Sequence, residues 1–471
     1  MNTPPGTTNL SPDAAYEKTL LGQFDRRYLS TRPGHIFFAG AVAAALLIPC
    51  IQFVSTIREI DTSLWREAGT RHRTALGRWL PTAGLLVEGK PGESPYGYGH
   101  WFPTPPLVLL SLVPLWKIGY VPAGIIWAAL KVAGLIGAAW FALREMSRVG
   151  LRAPLGVLLA TTIFGIRPII SDLQHGNLNI FMMIWLTLAW GLYLRGSDIW
   201  AGLFVALAIV TKVTPGLVLV YFLYNRAWRV CLGAGFGLVL FFLVLPGLLL
   251  GFSHNLELLS SWFQMLVAPY AIHGYATLEI PNQSLYGVLM RLLSNAGILG
   301  IEHMPTDEAL AAGMEDMARP DSIFGRLLRP AISLSLVAAL AWGCRTAGAR
   351  RGDVRRLLEY GLVLLAMLLL SERTWKHHAT TLPLMYLGTW LALTCIDWSP
   401  RFRAWFVAGL IAQLVCLLLL GEELLGDDLA DRVLDGGFFC WGLLLCFVQG
   451  LVMLRCMNRR GPAEGKPTAA G

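Results

Sequence analysis

Polar and ionisable residues interrupt this largely apolar chain at a few places where binding or chemistry could occur. Charged groups beside hydrocarbon are costly, so a protein keeps them there mainly for function. Most of them fall on one predicted side of a membrane, which indicates a membrane enzyme with an externally facing site. They are Asp61, the stretch from Arg167 through Asp172 and His175 to Asn177, Lys212, Asn282 with Gln283, and Glu372–Arg373 with His377–His378.

Asp61 follows the first apolar segment by about one helical turn. A carboxylate at the bilayer edge can act as a general base and take a proton from an acceptor hydroxyl group. A solvated acid at a helix end would look the same in the sequence, and Glu59 is a neighbouring candidate for the same role.

The polar run from Ser171 to Asn179 breaks an apolar stretch, and Gly176 within it lets the backbone turn tightly. Its amides and His175 are predicted to face inward and bind substrate. Lys212 lies deep between apolar residues, so it must reach the membrane surface, pair with an acid or bind an anion. Its placement favours anion binding.

The segment Glu372–His378 combines cations, histidines and a tryptophan at the end of an apolar span. Arg373 and Lys376 could clamp a phosphate group. Trp375 could stack on a pyranose ring, although tryptophan is also common at membrane interfaces.

His377 or His378 could hydrogen-bond a sugar or a phosphate oxygen. Adjacent histidines on a helix point about 100° apart, and the sequence has no HExxH or DxD motif, so neither a metal nor a cofactor is predicted. The predicted donor- and substrate-binding residues are Arg167, His175, Asn177, Lys212, Asn282, Gln283, Arg373, Trp375, His377 and His378.

The composition is that of an integral membrane protein. The hydrophobic fraction is 55%, the charged fraction is 14% and the mean hydropathy is +0.56, whereas soluble domains carry about 25% charged residues. The net charge of +8 fits the excess of Lys and Arg in cytoplasmic turns. No basic stripe with interleaved aromatic residues is present, so nucleic acid is not a predicted partner.

Several function classes lack their sequence signatures. The chain has no Walker A motif, GxGxxG fingerprint or GxSxG elbow, which argues against nucleotide-driven transport, dinucleotide cofactors and serine hydrolysis. The eight cysteines form no CxxC pair and are typical of small core residues.

Twelve apolar segments predict an all-α polytopic membrane protein. The additional stretch 105–120 is shorter and contains prolines, which is more typical of a re-entrant or interfacial piece. The predicted spans are 35–57, 122–143, 153–170, 178–195, 199–211, 213–224, 229–252, 327–344, 357–371, 378–396, 402–421 and 437–455.

The arginine-rich turns alternate with the other turns, which predicts a cytoplasmic location for both termini. This scheme requires residues 199–224 to form two short helices that meet at Lys212–Thr214. The segment 253–326 is expected to form a partly helical lid over the site. The predicted organisation is a tail of 1–34, a membrane domain of 35–456 with external loops 58–104 and 253–326, and a tail of 457–471.

These motifs, in this order, resemble glycosyltransferase family 87. The family's Gly-Gln-x-Asn element is close to His175-Gly176-Asn177-Leu178-Asn179, although His175 stands where a glutamine is typical and the loop 58–104 is rich in charge. The motifs that carry the resemblance are Asp61, Tyr96-Gly-Tyr98, Phe102-Pro-Thr-Pro105-Pro106-Leu107, the element at 175–179, Ala201-Gly202, Lys212-x-x-Pro215, Asn282-Gln283-Ser284-Leu285 and Ser371-Glu-Arg-Thr-Trp375-Lys-His377-His378.

The resemblance implies a helical bundle of the GT-C type that transfers a sugar, usually mannose, from a polyprenyl-phosphate donor to a lipid or glycan acceptor on the outer face, with inversion at the sugar. Asp61 corresponds to the expected general base. The leaving polyprenyl phosphate needs cationic stabilisation, which Lys212, Arg373, Arg167 or an arginine of the 58–78 segment could supply. Membrane lipids are the implied surroundings, and no metal is strictly required.

Two alternatives remain open from the sequence. A secondary transporter could also have twelve spans and use Lys212 and the histidines as coupling sites, although its connections are usually shorter than 58–104 and 253–326. A GT-C-type envelope transferase or polymerase that uses another donor is hardly distinguishable by sequence from a glycosyltransferase that uses a polyprenyl-phosphate sugar.

We expect the turn around Arg351 to be cytoplasmic and the acidic turn around Asp427 to be external, because basic turns stay inside. In whole cells, an impermeant thiol reagent should label a cysteine introduced near Asp427 and spare one near Arg351, each in a background without the native cysteines. The opposite labelling pattern would contradict the predicted orientation and the external site.

Overall fold

The computed structural model describes residues 16–17, 19–58, 74–89, 93–96, 102–305, 317–345 and 349–459. These residues are mainly helical, and each of the twelve predicted spans overlaps a helix. The helices are α1 (Leu20–Phe24), α2 (Arg32–Arg58), α3 (Ala75–Glu88), α4 (Pro106–Lys117), α5 (Tyr120–Arg148), α6 (Leu155–His175), α7 (Asn179–Arg195), α8 (Asp198–Thr211), α9 (Gly216–Tyr224), α10 (Trp228–Leu250), α11 (Phe252–Trp262), α12 (Leu285–Asn295), α13 (Ile323–Gly343), α14 (Val354–Leu370), α15 (Leu382–Cys395), α16 (Pro400–Leu419), α17 (Glu422–Leu425), α18 (Asp427–Asp435) and α19 (Phe438–Arg459).

The fold is that of an all-α polytopic membrane protein. Within the described residues, seven helices (α2, α5, α6, α10, α13, α16 and α19) are long and apolar enough to cross a membrane. Helices α7, α8 and α4 are apolar but shorter. The total of twelve crossings therefore remains a prediction, although the predicted break at 212–215 is present between α8 and α9.

Helix α14 lies at the centre of the bundle. Its residues from Leu357 to Leu369 are buried on every side of the helix, as its largely apolar sequence favours, and the one acid among them, Glu359, is bonded to Arg356 and Tyr221. It packs against α15, α19, α9 and α13. Because α14 is enclosed, the polar segment that follows it, Ser371–His378, is held in a fixed place against the bundle.

Helices α8 and α10 cross at close range. A Cβ atom added at Gly202 would collide with the backbone of Val230 and Ala234, and one added at Gly233 would collide with Ile199. Glycine at both positions lets the two backbones touch. This contact lies in the first turns of α8, and Lys212 follows the other end of the same helix.

The second predicted external loop contains more structure than a helical lid. Between α11 and α13 it forms a three-stranded antiparallel sheet of β1 (Ala276–Thr277), β2 (Ile301–His303) and β3 (Met317–Pro320). Strand β3 is central, with Ala276 opposite Ala318 and Ile301 opposite Pro320. Pairing of such short strands depends on distant residues, which explains why the sequence pattern did not reveal the sheet.

The basic turns gather at one end of the bundle. Arg351 forms an ion pair with Asp198 (2.5 Å) and donates a hydrogen bond to the carbonyl of Tyr193 (2.7 Å). Arg356 donates hydrogen bonds to Asn225 and to Glu359. Residues 371–378 follow the other end of α14, about 25 Å away for a helix of 17 residues.

Candidate active site

The ends of α6, α7, α8 and α14 meet at one end of the bundle around the turn at Gly176. Gly176 has a φ of 65°, a left-handed conformation that glycine adopts without strain. Its carbonyl accepts a hydrogen bond from the indole of Trp127 on α5 (2.9 Å). A Cβ atom at this position would collide with the ring of Phe53 on α2. The tight turn therefore brings the end of α2 against the site.

A buried ion pair lies directly beneath the turn. Lys131 Nζ is 2.6 Å from Asp172 Oδ1, and both side chains are at most 1% exposed. The second carboxylate oxygen, Asp172 Oδ2, accepts hydrogen bonds from the backbone N–H of Asn179 (3.2 Å) and from its side-chain amide (3.0 Å). The carboxylate is thus both charge-paired and hydrogen-bonded, as burial requires.

Lys212 joins this network from the end of α8. Its Nζ donates a hydrogen bond to Asn179 Oδ1 (3.2 Å). Burial lowers the pKa of Lys212 to about 8, while the nearby carboxylates of Glu372 and Asp172 oppose this shift. Lys212 therefore carries its charge at neutral pH and loses it at moderately alkaline pH.

The two histidines of the 372–378 segment lie against the turn at Gly176. The ring of His377 stacks on that of His175, with centroids 4.9 Å apart. Asn177 Oδ1 accepts the backbone N–H of Leu178 (2.7 Å), so its amide nitrogen donates to His377 Nε2 (3.1 Å). This places the imidazole proton of His377 on Nδ1.

His377 is a neutral group surrounded by cations. Burial lowers its pKa well below the usual value, and the nearby His175, Lys212, Lys131 and Arg78 add to this effect. A neutral imidazole with its proton on Nδ1 can donate one hydrogen bond to a ligand oxygen without adding charge.

Arg373 and Trp375 extend the polar surface. The guanidinium of Arg373 lies 5.7 Å from the centroid of the Trp375 ring. The ring of His378 is parallel to that of Trp375, with centroids 6.2 Å apart, and its Nδ1 accepts the backbone N–H of Trp375 (3.2 Å). The Trp375 Nε1–H has no hydrogen-bond partner among the described residues.

Arg78 on α3 approaches the same cluster from the first predicted loop. Burial lowers the pKa of Arg78, and its proximity to Arg373 adds to this effect. Two guanidinium groups that approach each other in a partly buried place favour an anion between or beside them.

Asn282 and Gln283 hold the 372–374 loop in place. Asn282 donates to the carbonyls of Thr277 (2.9 Å) and Glu372 (3.1 Å) and accepts the N–H of Thr374 (3.0 Å). Gln283 donates to the carbonyl of Leu434 (2.7 Å). Both side chains are fully buried. The loop that carries Arg373 and Trp375 is positioned by the Asn282 side chain and by the backbone N–H of Gln283, which donates to the carbonyl of Thr374 (2.6 Å).

The structure brings most of the predicted residues together. The exception is Arg167, which lies two helical turns before His175 and donates to the carbonyl of Leu417 (3.0 Å). Asp61 lies outside the described residues, three positions beyond Arg58, the last residue of α2. The gathered residues are His175, Asn177, Lys212, Arg373, Trp375, His377 and His378, with Asn282 and Gln283 as their support.

Lys131 was not predicted from the sequence, and neither Asn179 nor Arg78 was predicted by itself. A single lysine in the apolar run of α5 is itself a signal, since a charge within a span requires a partner. No group of three or more possible metal ligands occurs in the part of the chain that the structure describes.

The cations of this cluster could bind an anion beside its neutral hydrogen-bond donors. The model of glycosyltransferase family 87 matches residues 102–372, which is more than half of the chain. This protein belongs to glycosyltransferase family 87 and is a membrane glycosyltransferase. That assignment favours the enzyme over the secondary transporter.

Three mycobacterial proteins are similar to the chain. Polyprenol-phosphate-mannose-dependent alpha-(1-2)-phosphatidylinositol pentamannoside mannosyltransferase from Mycobacterium tuberculosis is 26% identical over 68% of this chain and 72% of its own length. The protein of the same name from Mycolicibacterium smegmatis is 26% identical over 68% of this chain and 76% of its own length. Polyprenol-phosphate-mannose-dependent alpha-(1-2)-phosphatidylinositol mannoside mannosyltransferase, also from Mycolicibacterium smegmatis, is 24% identical over 83% of this chain and 84% of its own length. No solved structure is significantly similar to the chain.

The buried ion pair gives a prediction about stability. Lys131→Met should lower the free energy of unfolding by about 3–5 kcal/mol, because it leaves the Asp172 carboxylate buried without its cation. The measurement is a denaturant titration of the purified protein in detergent micelles. The double variant Lys131→Met/Asp172→Asn should recover most of this loss. If Lys131→Met lowers the free energy of unfolding by less than about 1 kcal/mol, the two groups are not tightly coupled.

Proposed function

We propose that this protein transfers mannose from a polyprenyl-phosphate donor to a phosphatidylinositol-mannoside-like lipid acceptor on the outer face of the membrane. The reaction inverts the configuration at the sugar, and Asp61 acts as the general base. The cluster of Lys212, Arg373 and His377 beside the turn at Gly176 is the observation that carries the proposal, because these groups suit a phosphate joined to a sugar.

The names of the relatives support the choice of donor and acceptor. All three are described as dependent on polyprenol-phosphate-mannose and as acting on phosphatidylinositol mannosides. A lipid-phosphate sugar is already activated, which agrees with the absence of nucleotide-binding motifs from the sequence. Because only about a quarter of the residues are identical, we propose the class of acceptor and not one particular acceptor molecule.

The proposed reaction is a single displacement at C1 of the sugar. The acceptor oxygen forms a bond to C1 as the bond from C1 to the phosphate oxygen breaks, and the acceptor proton passes to the Asp61 carboxylate. The leaving polyprenyl phosphate gains negative charge in this step. Lys212 and Arg373 would stabilise that charge, and the Nδ1–H of His377 and the Nε1–H of Trp375 would orient the oxygens.

The assignment of Asp61 rests on the position of α2. The end of this helix lies beside the site, since Gln174 donates a hydrogen bond to Gln52 (2.8 Å) and Phe53 packs against Gly176. Asp61 follows Arg58, the last residue of α2, by three positions, and it lies outside the described residues. Its role as the base is therefore proposed from its place after α2 in the sequence.

The outward orientation follows from the distribution of charge between the two ends of the bundle. The basic turns that contain Arg351 and Arg356 are at the end opposite to the site. Since basic turns stay in the cytoplasm, the cluster around Lys212 would face the outer side.

Asp61→Asn should abolish mannose transfer while leaving donor binding nearly intact, because the amide keeps the shape of the side chain but cannot accept the proton. General-base contributions are about 10²–10⁴-fold in rate. The assay combines the purified protein in detergent with radiolabelled polyprenyl-phosphate-mannose and phosphatidylinositol mannosides, and measures labelled lipid product.

Glu59→Gln is the matched control, since it makes the same chemical change two residues earlier and should retain activity. Loss of activity in Glu59→Gln with retention in Asp61→Asn would move the role to Glu59. If the wild-type protein makes no product, or if neither change matters, the proposed reaction is wrong.

Lys212→Met or Arg373→Met should raise the KM for the donor at least several-fold, because each removes a cation from the proposed phosphate site. Arg167→Met is the matched control, as Arg167 lies two turns away and should leave the donor KM nearly unchanged. An unchanged KM in both site variants would exclude these residues as phosphate ligands.

A further inference from the structure

Four residues from three helices and one turn form a continuous polar chain that leads from the core to the site. Lys131 Nζ contacts Asp172 Oδ1 at 2.6 Å, Asp172 Oδ2 accepts the side-chain amide of Asn179 at 3.0 Å, and Asn179 Oδ1 accepts Lys212 Nζ at 3.2 Å. Lys131, Asp172 and Asn179 are at most 1% exposed, whereas Lys212 lies at the edge of the site.

The carboxylate determines how the amide of Asn179 is oriented. With its NH₂ group towards Asp172, the amide presents its oxygen to Lys212. The flipped amide would place its oxygen against the carboxylate and its NH₂ group against the ammonium, which are two repulsive contacts. The orientation is therefore fixed by the charges on either side.

Asn179 also separates Lys212 from the charge of Asp172. The Asp172 carboxylate makes its ion pair with Lys131, and its contact with Lys212 runs through the amide of Asn179. A neutral amide oxygen stabilises the ammonium group by its dipole but does not cancel its charge. Among the described residues, the other charged or titratable groups that act on Lys212 are Glu372, Arg373, His377 and His378.

We infer that Asn179 is a positioning residue, which holds Lys212 in place through the Lys131–Asp172 pair and keeps it a net cation for the donor phosphate. The inference rests on the proposed function, since it assigns Lys212 to the phosphate. A carboxylate in place of the amide would form an ion pair with Lys212 and compete with the phosphate. Removal of the amide would leave the ammonium without its acceptor.

The test measures binding of decaprenyl phosphate to the full-length protein in phosphatidylcholine nanodiscs by calorimetry. Between pH 7.5 and 9.5 the phosphate stays a dianion, because its second pKa is about 6. The affinity of the wild-type protein should fall as the pH rises through about 8, where Lys212 loses its proton.

Asn179→Asp should weaken binding at pH 7.5 by at least about tenfold and move the midpoint of the pH dependence upward, because a carboxylate raises the pKa of the ammonium. Asn179→Ala should weaken binding several-fold and move the midpoint downward, because the ammonium loses its acceptor. Poor folding would lower the number of binding sites but would not shift these midpoints in opposite directions.

Thr380→Val is the matched control. The Thr380 hydroxyl donates to the backbone carbonyl of Asn179 (3.0 Å), so this variant loosens the same residue without touching the polar chain. Its affinity and midpoint should match those of the wild type within about twofold.

The outcomes separate the inference from the proposed function. The inference is wrong if the midpoints are unchanged in both Asn179 variants, or if their shifts equal that of Thr380→Val. The proposed donor site would still stand in that case, provided that Lys212→Met abolishes binding. Failure of the wild-type protein to bind decaprenyl phosphate, or normal binding by Lys212→Met, would overturn both the proposed donor site and the inference.

Discussion

The buried pair of Lys131 and Asp172 is the interaction on which the site depends. An ion pair with both members at most 1% exposed persists only if the remaining polar atoms of both groups are satisfied. Asp172 meets this requirement by accepting both N–H groups of Asn179, and Lys131 by donating also to the carbonyl of Asp172 (3.2 Å). These bonds join α5, α6 and α7, and Lys212 completes the network from α8. The polar end of the bundle is thus arranged around one compensated charge.

Two further constraints place the remaining site residues. The enclosed helix α14 delivers the 371–378 segment to the same end, and the side-chain amide of Asn282 and the backbone N–H of Gln283 fix its backbone. His377 then stacks on His175, so the last turn of α6 and the segment after α14 share one surface. The result is a group of cations next to neutral hydrogen-bond donors, an arrangement that suits a phosphate linked to an uncharged sugar.

Much of the fold was predictable, because hydropathy reports directly on helices in a membrane protein. All twelve apolar segments overlap helices, and the break at Lys212–Pro215 divides 199–224 as expected. The sheet of β1, β2 and β3 was not predicted, since strands of two to four residues leave no periodic pattern. The structure places the Gly176 turn and the 372–378 segment, both marked by polar clusters in the sequence, against each other, and their role as a site stays a prediction. The sequence could not show that Asn282 and Gln283 bind main chain, or that Arg167 donates to the carbonyl of Leu417, because these contacts depend on partners that are distant in the chain.

The central claim is that the cluster around Lys212 holds the phosphate of a polyprenyl-linked sugar. The most direct measurement is an electron cryomicroscopy structure of the full-length protein in nanodiscs with decaprenyl phosphate bound. We expect phosphate density within hydrogen-bond distance of Lys212 Nζ, beside Arg373 and His377, with the lipid chain leaving towards the bilayer. Density for the phosphate elsewhere, such as beside Arg167 or at the end that contains Arg351, would contradict it.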